Sequence, residues 1–193
     1  VSALSEALSR PPPHAARALL GAVLVRRLPG RTLRARIVET EAYLGKGDPA
    51  AHSFRGPTAR TAPIWGPPGT VYVYFIYGMY HCLNVTVDAE GVPGCVLIRA
   101  AEPLPGSDLG PLDLRGPGRL CRALSIETGL SGSHVFARGA PLRLLAGRPP
   151  ARVGVSPRVG IRLAADLPLR FYDADSPAVS RPPRALRRGP RTR

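Results

Sequence analysis

Lysine is almost absent from this chain. Lys46 is the only one among 27 basic residues, so the other 26 are arginines. Chemistry through a lysine Schiff base would have a single side-chain amine to draw on. Cysteine is also scarce: Cys82, Cys95 and Cys121 make an odd number with no Cys-x-x-Cys. That argues against a disulfide framework and for a reducing compartment, the cytoplasm. His14, His52, His81 and His134 lack metal-ligand spacing, so no metal is expected. No apolar run approaches the ~20 residues of a membrane span. Val1–Arg10 lacks the basic-then-apolar order of an export leader.

What is present is positive charge. With 13 acidic residues the formal charge is +14, and six arginines fall in Arg181–Arg193, a stretch without acids. The remaining 21 basic residues still exceed the 13 acids by 8. Such a surplus favours a polyanion and makes binding depend on salt. The length suits one domain, here residues 1–180, followed by a basic tail, 181–193, rich in arginine and proline and expected to be flexible. A monomer is expected.

The pattern along the chain predicts a short helix near Ser5–Ser9, a break at Pro11–Pro13 and a helix over Ala15–Leu20. Strands follow at Leu20–Val25 and Leu33–Thr40, turned by Pro29-Gly30. A long loop occupies Gly45–Gly69, a length usually reserved for function or disorder. The densest strand signals are Val71–Ile76, Cys82–Val87 and Cys95–Ala101. A helix over Leu120–Ile126 and short strands at Leu142–Leu145 and Arg158–Ile161 complete the reading. The expected fold is α+β: a mainly antiparallel curved sheet with flanking helices.

Two features hold candidate chemistry. Glu39 and Glu41 are two apart, as are Glu41 and Tyr43, so on a strand they share a face. Such a pair suits either a solvated, charge-paired strand or a carboxylate that activates water, and spacing does not decide. Four of the six tyrosines are Tyr72, Tyr74, Tyr77 and Tyr80, with Gly78 and the only methionine, Met79, among them. Tyrosines at strand spacing can be core. An aromatic hairpin tip on a basic protein also suits insertion between base pairs.

These residues resemble the alkyladenine (3-methyladenine) DNA glycosylase family. The likeness rests on Glu39–Gly45, Ala50–Ser53, Gly66–Gly69, Tyr72–Tyr80 and Val96–Leu104, and is extended by Gly116–Leu124 and Pro168–Tyr172. It runs in order from about Leu20 to Ser180. The resemblance implies a monofunctional enzyme that flips a damaged purine from duplex DNA and hydrolyses its N-glycosidic bond, leaving an abasic site, with no cofactor. Glu41 matches the general base, Arg99 the arginine that helps hold the water, and Val159 the residue whose carbonyl completes the water site. A second Arg-Val-Gly segment, at Arg152-Val153-Gly154, competes with Arg158-Val159-Gly160 for that role; the distance to Pro168–Tyr172 favours Val159. Tyr43, His52 and Tyr74 match the walls of the base pocket, completed by Ala51, Cys82 and Leu97. Asn84 matches the residue that crowds out guanine's exocyclic amine. Tyr77 matches the wedge that fills the vacated stack, with Met79 and Tyr80 beside it in the minor groove.

Ala59 and Thr61 replace the family's usual Pro and Asn in the loop, and Arg119 replaces a common lysine, which keeps charge but alters geometry. Two other readings stand beside this one. A non-catalytic nucleic-acid-binding module would not need Glu41, Arg99 and the aromatics together. A bifunctional glycosylase/lyase would need Lys46 or the terminal amine in the pocket.

Overall fold

The computed structural model describes residues 3–180; the basic tail expected from the sequence lies outside the described residues. Two short helices open the chain, α1 (Ala3–Leu8) and α2 (Pro12–Ala18). The prolines expected to separate them instead start the second. Pro11 is its N-cap and Pro12 sits in the first turn, where a missing N–H is harmless. The strands are β1 (Val23–Leu28), β2 (Arg31–Tyr43), β3 (Val71–Ile76), β4 (Tyr80–Val87) and β5 (Gly94–Pro103), then β6 (Leu142–Leu145), β7 (Val153–Ser156) and β8 (Arg170–Asp173). Helix α3 (Pro117–Ala123) lies between β5 and β6 and again begins on a proline, three residues before the expected start.

All strand pairs are antiparallel, in the order β3-β4-β5-β2-β1-β6, and the sheet curls. β2 organises it. Its first half pairs with β1, its second half with β8, and β5 runs along its other edge. β8 also receives β7. The expected strand at Arg158–Ile161 is therefore misplaced: the strand is Val153–Ser156, because that segment faces Arg170–Asp173, and Arg158–Ile161 lies in irregular chain. The second strand also continues past Thr40 to Tyr43, since β5 and β8 pair with the extra length.

Period-two alternation divides the sheet into two faces. Val71, Val73, Leu83, Val85, Val96 and Ile98 point into the main core, where α1 and α2 contribute Leu4, Leu8, Ala15 and Ala16. Thr40 belongs to this side and donates from Oγ1 to the Ala16 carbonyl at 2.9 Å. The opposite face carries polar and aromatic groups. Tyr72, Asn84, Leu97, Glu41 and Arg170 are cross-strand partners in sequence, one row across five strands. Among the described residues no helix is long and apolar enough to cross a membrane.

The β2–β5 ladder slips locally around Glu39. Glu39 is opposed to Ala100, Arg99 and Val38 have no ladder partner, and the register resumes on both sides. Irregularities of this kind re-aim side chains next to functional sites.

Candidate active site

A cleft of about 1110 Å³ opens on the polar face of the sheet. Its lining includes Tyr43, His52, Tyr74, Asn84, Leu97 and Arg99, drawn from four strands and the long loop. Glu41 is fully buried directly behind that lining, touching three residues that form it. The Val159 N–H donates to Glu41 Oε1 at 2.7 Å, and the Tyr43 hydroxyl donates to Oε2 at 3.0 Å. Arg99 Nη1 lies 3.4 Å from Oε1, an ion contact longer than a good hydrogen bond. Of the two Arg-Val-Gly segments, only the second reaches this carboxylate; Val153 pairs instead with Asp173.

Burial pushes Glu41's proton affinity above the ordinary 4.5, while Arg99, the Val159 N–H and the Tyr43 hydroxyl pull it back. Burial and the adjacent Glu41 carboxylate push the Tyr43 phenol far up, so it remains a donor. Burial likewise raises the Cys82 thiol, which lines the cleft as a neutral group. His52 is held below its ordinary 6.5 by desolvation and then by Arg60, which favours the uncharged ring. Its ring stands edge-on to Tyr74, with centroids 4.5 Å apart. The aromatic rings of Tyr43, His52 and Tyr74 thus offer uncharged faces within a cleft that also carries Arg99 and, at its rim, Arg119.

Asn84 is almost fully buried and held by two donations from Nδ2, to the carbonyls of Tyr72 (3.2 Å) and Cys82 (3.3 Å). Tyr77 and Gly78 turn the β3–β4 hairpin with φ of 55° and 66°. A tyrosine with positive φ is strained where glycine is not. Tyr77 is 78% exposed and Met79 64% exposed. Tyr80 packs so closely on Gly118 that a Cβ there would lie 2.6 Å from its ring. Arg119 lines the cleft rim and pairs with Asp113 at 2.6 Å.

Of the residues expected in the pocket wall, Ala51 is not part of the lining, and Met79, expected outside the pocket, lies outside it. Ala51 is buried behind the lining and its neighbour Ala50 lines the cleft instead; Met79 borders a smaller depression beside Arg122. Lys46 is exposed and absent from the lining. The sequence reading also missed three groups. Asp48 and Arg158 form a fully buried bidentate pair (2.6 and 2.9 Å). From that pair the Arg158 guanidinium also covers the Tyr43 ring at 4.6 Å. Tyr72 OH receives Arg60 Nη1 and meets His52 Nδ1, each at 2.9 Å. Arg170, buried beneath the site, binds Glu39.

A buried carboxylate thus lies behind an aromatic cleft on a basic protein whose β3–β4 turn exposes a tyrosine and a methionine. Comparison with known proteins gives the class, a base-excision-repair DNA glycosylase, a hydrolase of N-glycosyl bonds. Sequence comparison supplies the family. The methylpurine-DNA glycosylase profile matches residues 6–177, and the chain belongs to that family. It is 50% identical over 176 residues to a Synechococcus elongatus protein assigned as a 3-methyladenine DNA glycosylase, covering 90% of this chain and 88% of the relative. A Methanocella arvoryzae protein with the same assignment is 45% identical over 185 residues, covering 89% of this chain and 92% of the relative. A third, from Anaeromyxobacter dehalogenans, is 48% identical over 178 residues, covering 87% and 80%.

Proposed function

We propose that this protein extrudes an alkylated purine nucleotide from duplex DNA, holds the base among Tyr43, His52 and Tyr74, and hydrolyses its bond to the sugar with Glu41 as general base. The observation that supports this most is Glu41 itself, a buried carboxylate held from three sides beside an aromatic cleft. Water oxygen attacks C1′ as the C1′–N bond breaks. The bonding pair leaves with the purine, and the water proton passes to Glu41. A base made cationic by alkylation departs neutral, so it needs little acid assistance. Arg99 helps orient the water, with the Val159 carbonyl as a further acceptor. Cys82, Leu97 and the Ala50–Ala51 backbone complete the wall, and Arg119 meets the DNA phosphates with Tyr80 and Met79 close to the minor groove. The enzyme acts as a monomer on nucleoid DNA in the cytoplasm. Without a lysine in the lining, strand cleavage through a Schiff base is disfavoured. The test is base release from duplex oligonucleotides that each contain one lesion: 3-methyladenine, 7-methylguanine, hypoxanthine or ethenoadenine. No release from any of them overturns the reading.

Tyr77 is the wedge that fills the stack after extrusion. Tyr77→Ser leaves the melting temperature within a degree or two, because the side chain is exposed and buries no core. Duplex excision slows about ten-fold or more, since unstacking costs a few kcal/mol and 1.4 kcal/mol is one decade. The loss shrinks when the lesion sits opposite a mismatch. A large fall in melting temperature would return Tyr77 to a structural role.

Asn84 is the gate against guanine. Asn84→Ser opens space for the 2-amino group, so release of undamaged guanine rises while excision of alkylated adenine changes less. Chromatographic measurement of free guanine from undamaged duplex decides it. An unchanged guanine rate, in folded protein active on adenine lesions, sinks the assignment.

A further inference from the structure

Glu39 has no part in the proposed chemistry, yet it is the most heavily bonded carboxylate near it. It is fully buried. Oε1 accepts from Arg99 Nε (3.0 Å), Arg170 Nε (2.6 Å) and Ser180 Oγ (2.8 Å), and Oε2 from the Ser180 N–H (2.7 Å). With three donors on Oε1 and one on Oε2, and Arg99 the only one of those donors that lines the cleft, Glu39 is bound into the structure rather than presented as a second general base. Its link to the site is Arg99. That guanidinium sits at the slip in the β2–β5 ladder, with Nε on Glu39 and Nη1 toward Glu41. We infer that Glu39 is a positioning residue: by holding Arg99 through Nε, and being held in turn by Arg170 and Ser180, it aims the other edge of the guanidinium at Glu41 and its water.

The inference rests on the glycosylase reading above and adds a second consequence. Two carboxylates, Glu39 and Glu41, share Arg99 with Arg170 behind, so the four charges balance. The groups facing Glu41 are Arg99 from β5, Tyr43 and Glu39 from its own strand, Cys82 from β4 and the Val159 N–H from the loop after β7. Glu39 is among those that raise Glu41's proton affinity. Removing its charge takes away one of the groups that raise that affinity and leaves Arg99 with Glu41 as its one carboxylate partner.

The experiment compares Glu39→Gln and Glu39→Asp with the parent in single-turnover excision from a methylated duplex across pH, with melting temperature and lesion-DNA affinity. Glu39→Gln is expected to lower the plateau rate about 10- to 10²-fold, the effect of a misaimed group. Its acid limb should move to lower pH, and DNA affinity should stay within a few-fold. Glu39→Asp, which keeps the charge on a shorter arm, should restore the position of the acid limb but not the full plateau. An unmoved acid limb and unchanged plateau in folded Glu39→Gln overturn the inference. So does failure of both variants to fold, which would make Glu39 a purely structural carboxylate. A parent that releases no base fails the glycosylase reading instead, so the two failures are separable.

Discussion

Glu41→Gln releases base from alkylated duplex DNA about 10²- to 10⁴-fold more slowly than the parent, the span attributed to a positioned general base. Lesion-DNA affinity stays within a few-fold, because the amide keeps the shape and can still accept from the Val159 N–H. The pH dependence adds a signature. The base must be ionised, so the parent's rate is lost as pH falls through Glu41's pKa, and burial sets that limb above the range of an exposed glutamate. Raised proton affinity in the fold also means that protonation stabilises the fold and that stability is lost as pH rises through the folded pKa. Neutral glutamine escapes that cost, so the melting temperature does not fall at neutral pH. Single-turnover kinetics with a thermal melt check both halves. Near-parent excision by Glu41→Gln removes Glu41 from the mechanism.

Asp48→Ala lowers stability by about 3–5 kcal/mol, because it strands Arg158 as a buried, unpaired cation. In a domain of this size each kcal/mol moves the melting temperature roughly 2–4 °C, so a fall on the order of 10 °C is expected. Loss of the pair also loosens two contacts of the site. Arg158 backs the Tyr43 ring and precedes Val159, whose N–H holds Glu41. Excision should therefore weaken even well below the melting temperature. The double variant Asp48→Ala/Arg158→Met should be less destabilised than Asp48→Ala alone, since the stranded charge is gone. Burial alone would raise Asp48, but Arg158 and the Leu44 and Ala50 N–H groups hold it below the ordinary 3.8. Its stabilisation is therefore present above the unfolded carboxylate pKa and lost as pH falls through the lower folded one. Denaturant melts of the single and double variants measure the coupling. Equal loss in both would show that the pair is not what holds the loop.

The contrast between Glu41 and Asp48 explains what could be read in the sequence. Tyr74, Asn84 and Leu97 take their pocket roles from the family resemblance alone, while Glu41 and Tyr43 lie two apart on a strand, where alternation assigns a shared face without knowledge of distant partners. The hairpin tip was legible for the same reason, as a glycine between aromatic strands. Asp48 and Arg158 are 110 positions apart in irregular chain, where no period marks them. The two Arg-Val-Gly segments show the limit most clearly. Arg152–Val155 and Arg158–Ile161 are nearly alike in composition, yet one is a strand and the other a loop over Glu41. Only pairing with β8 separates them, and β8, four residues long, gives little periodic signal of its own. Glu39 was legible as a residue of the right face but not as the partner of two arginines, because Arg170 and Ser180 are more than 130 positions away.

Ser180 closes the bonding shell of Glu39 across 141 positions of sequence, and Arg170 closes it across 131. This imposes an order on how the enzyme is made. The β1–β5 portion of the sheet, with the aromatic cleft wall, has all of its strands once residue 103 has emerged from the ribosome. Glu39 at that stage has Arg99 as its one cationic partner from the finished pair of strands. A chain cut or stalled between residues 103 and 170 would thus have the strands of the cleft wall but neither Arg170 nor Ser180 to hold Glu39. The strands that line the cleft are made first, and the clamp on the carboxylate beneath Arg99 is closed only by residues made about 70 positions later.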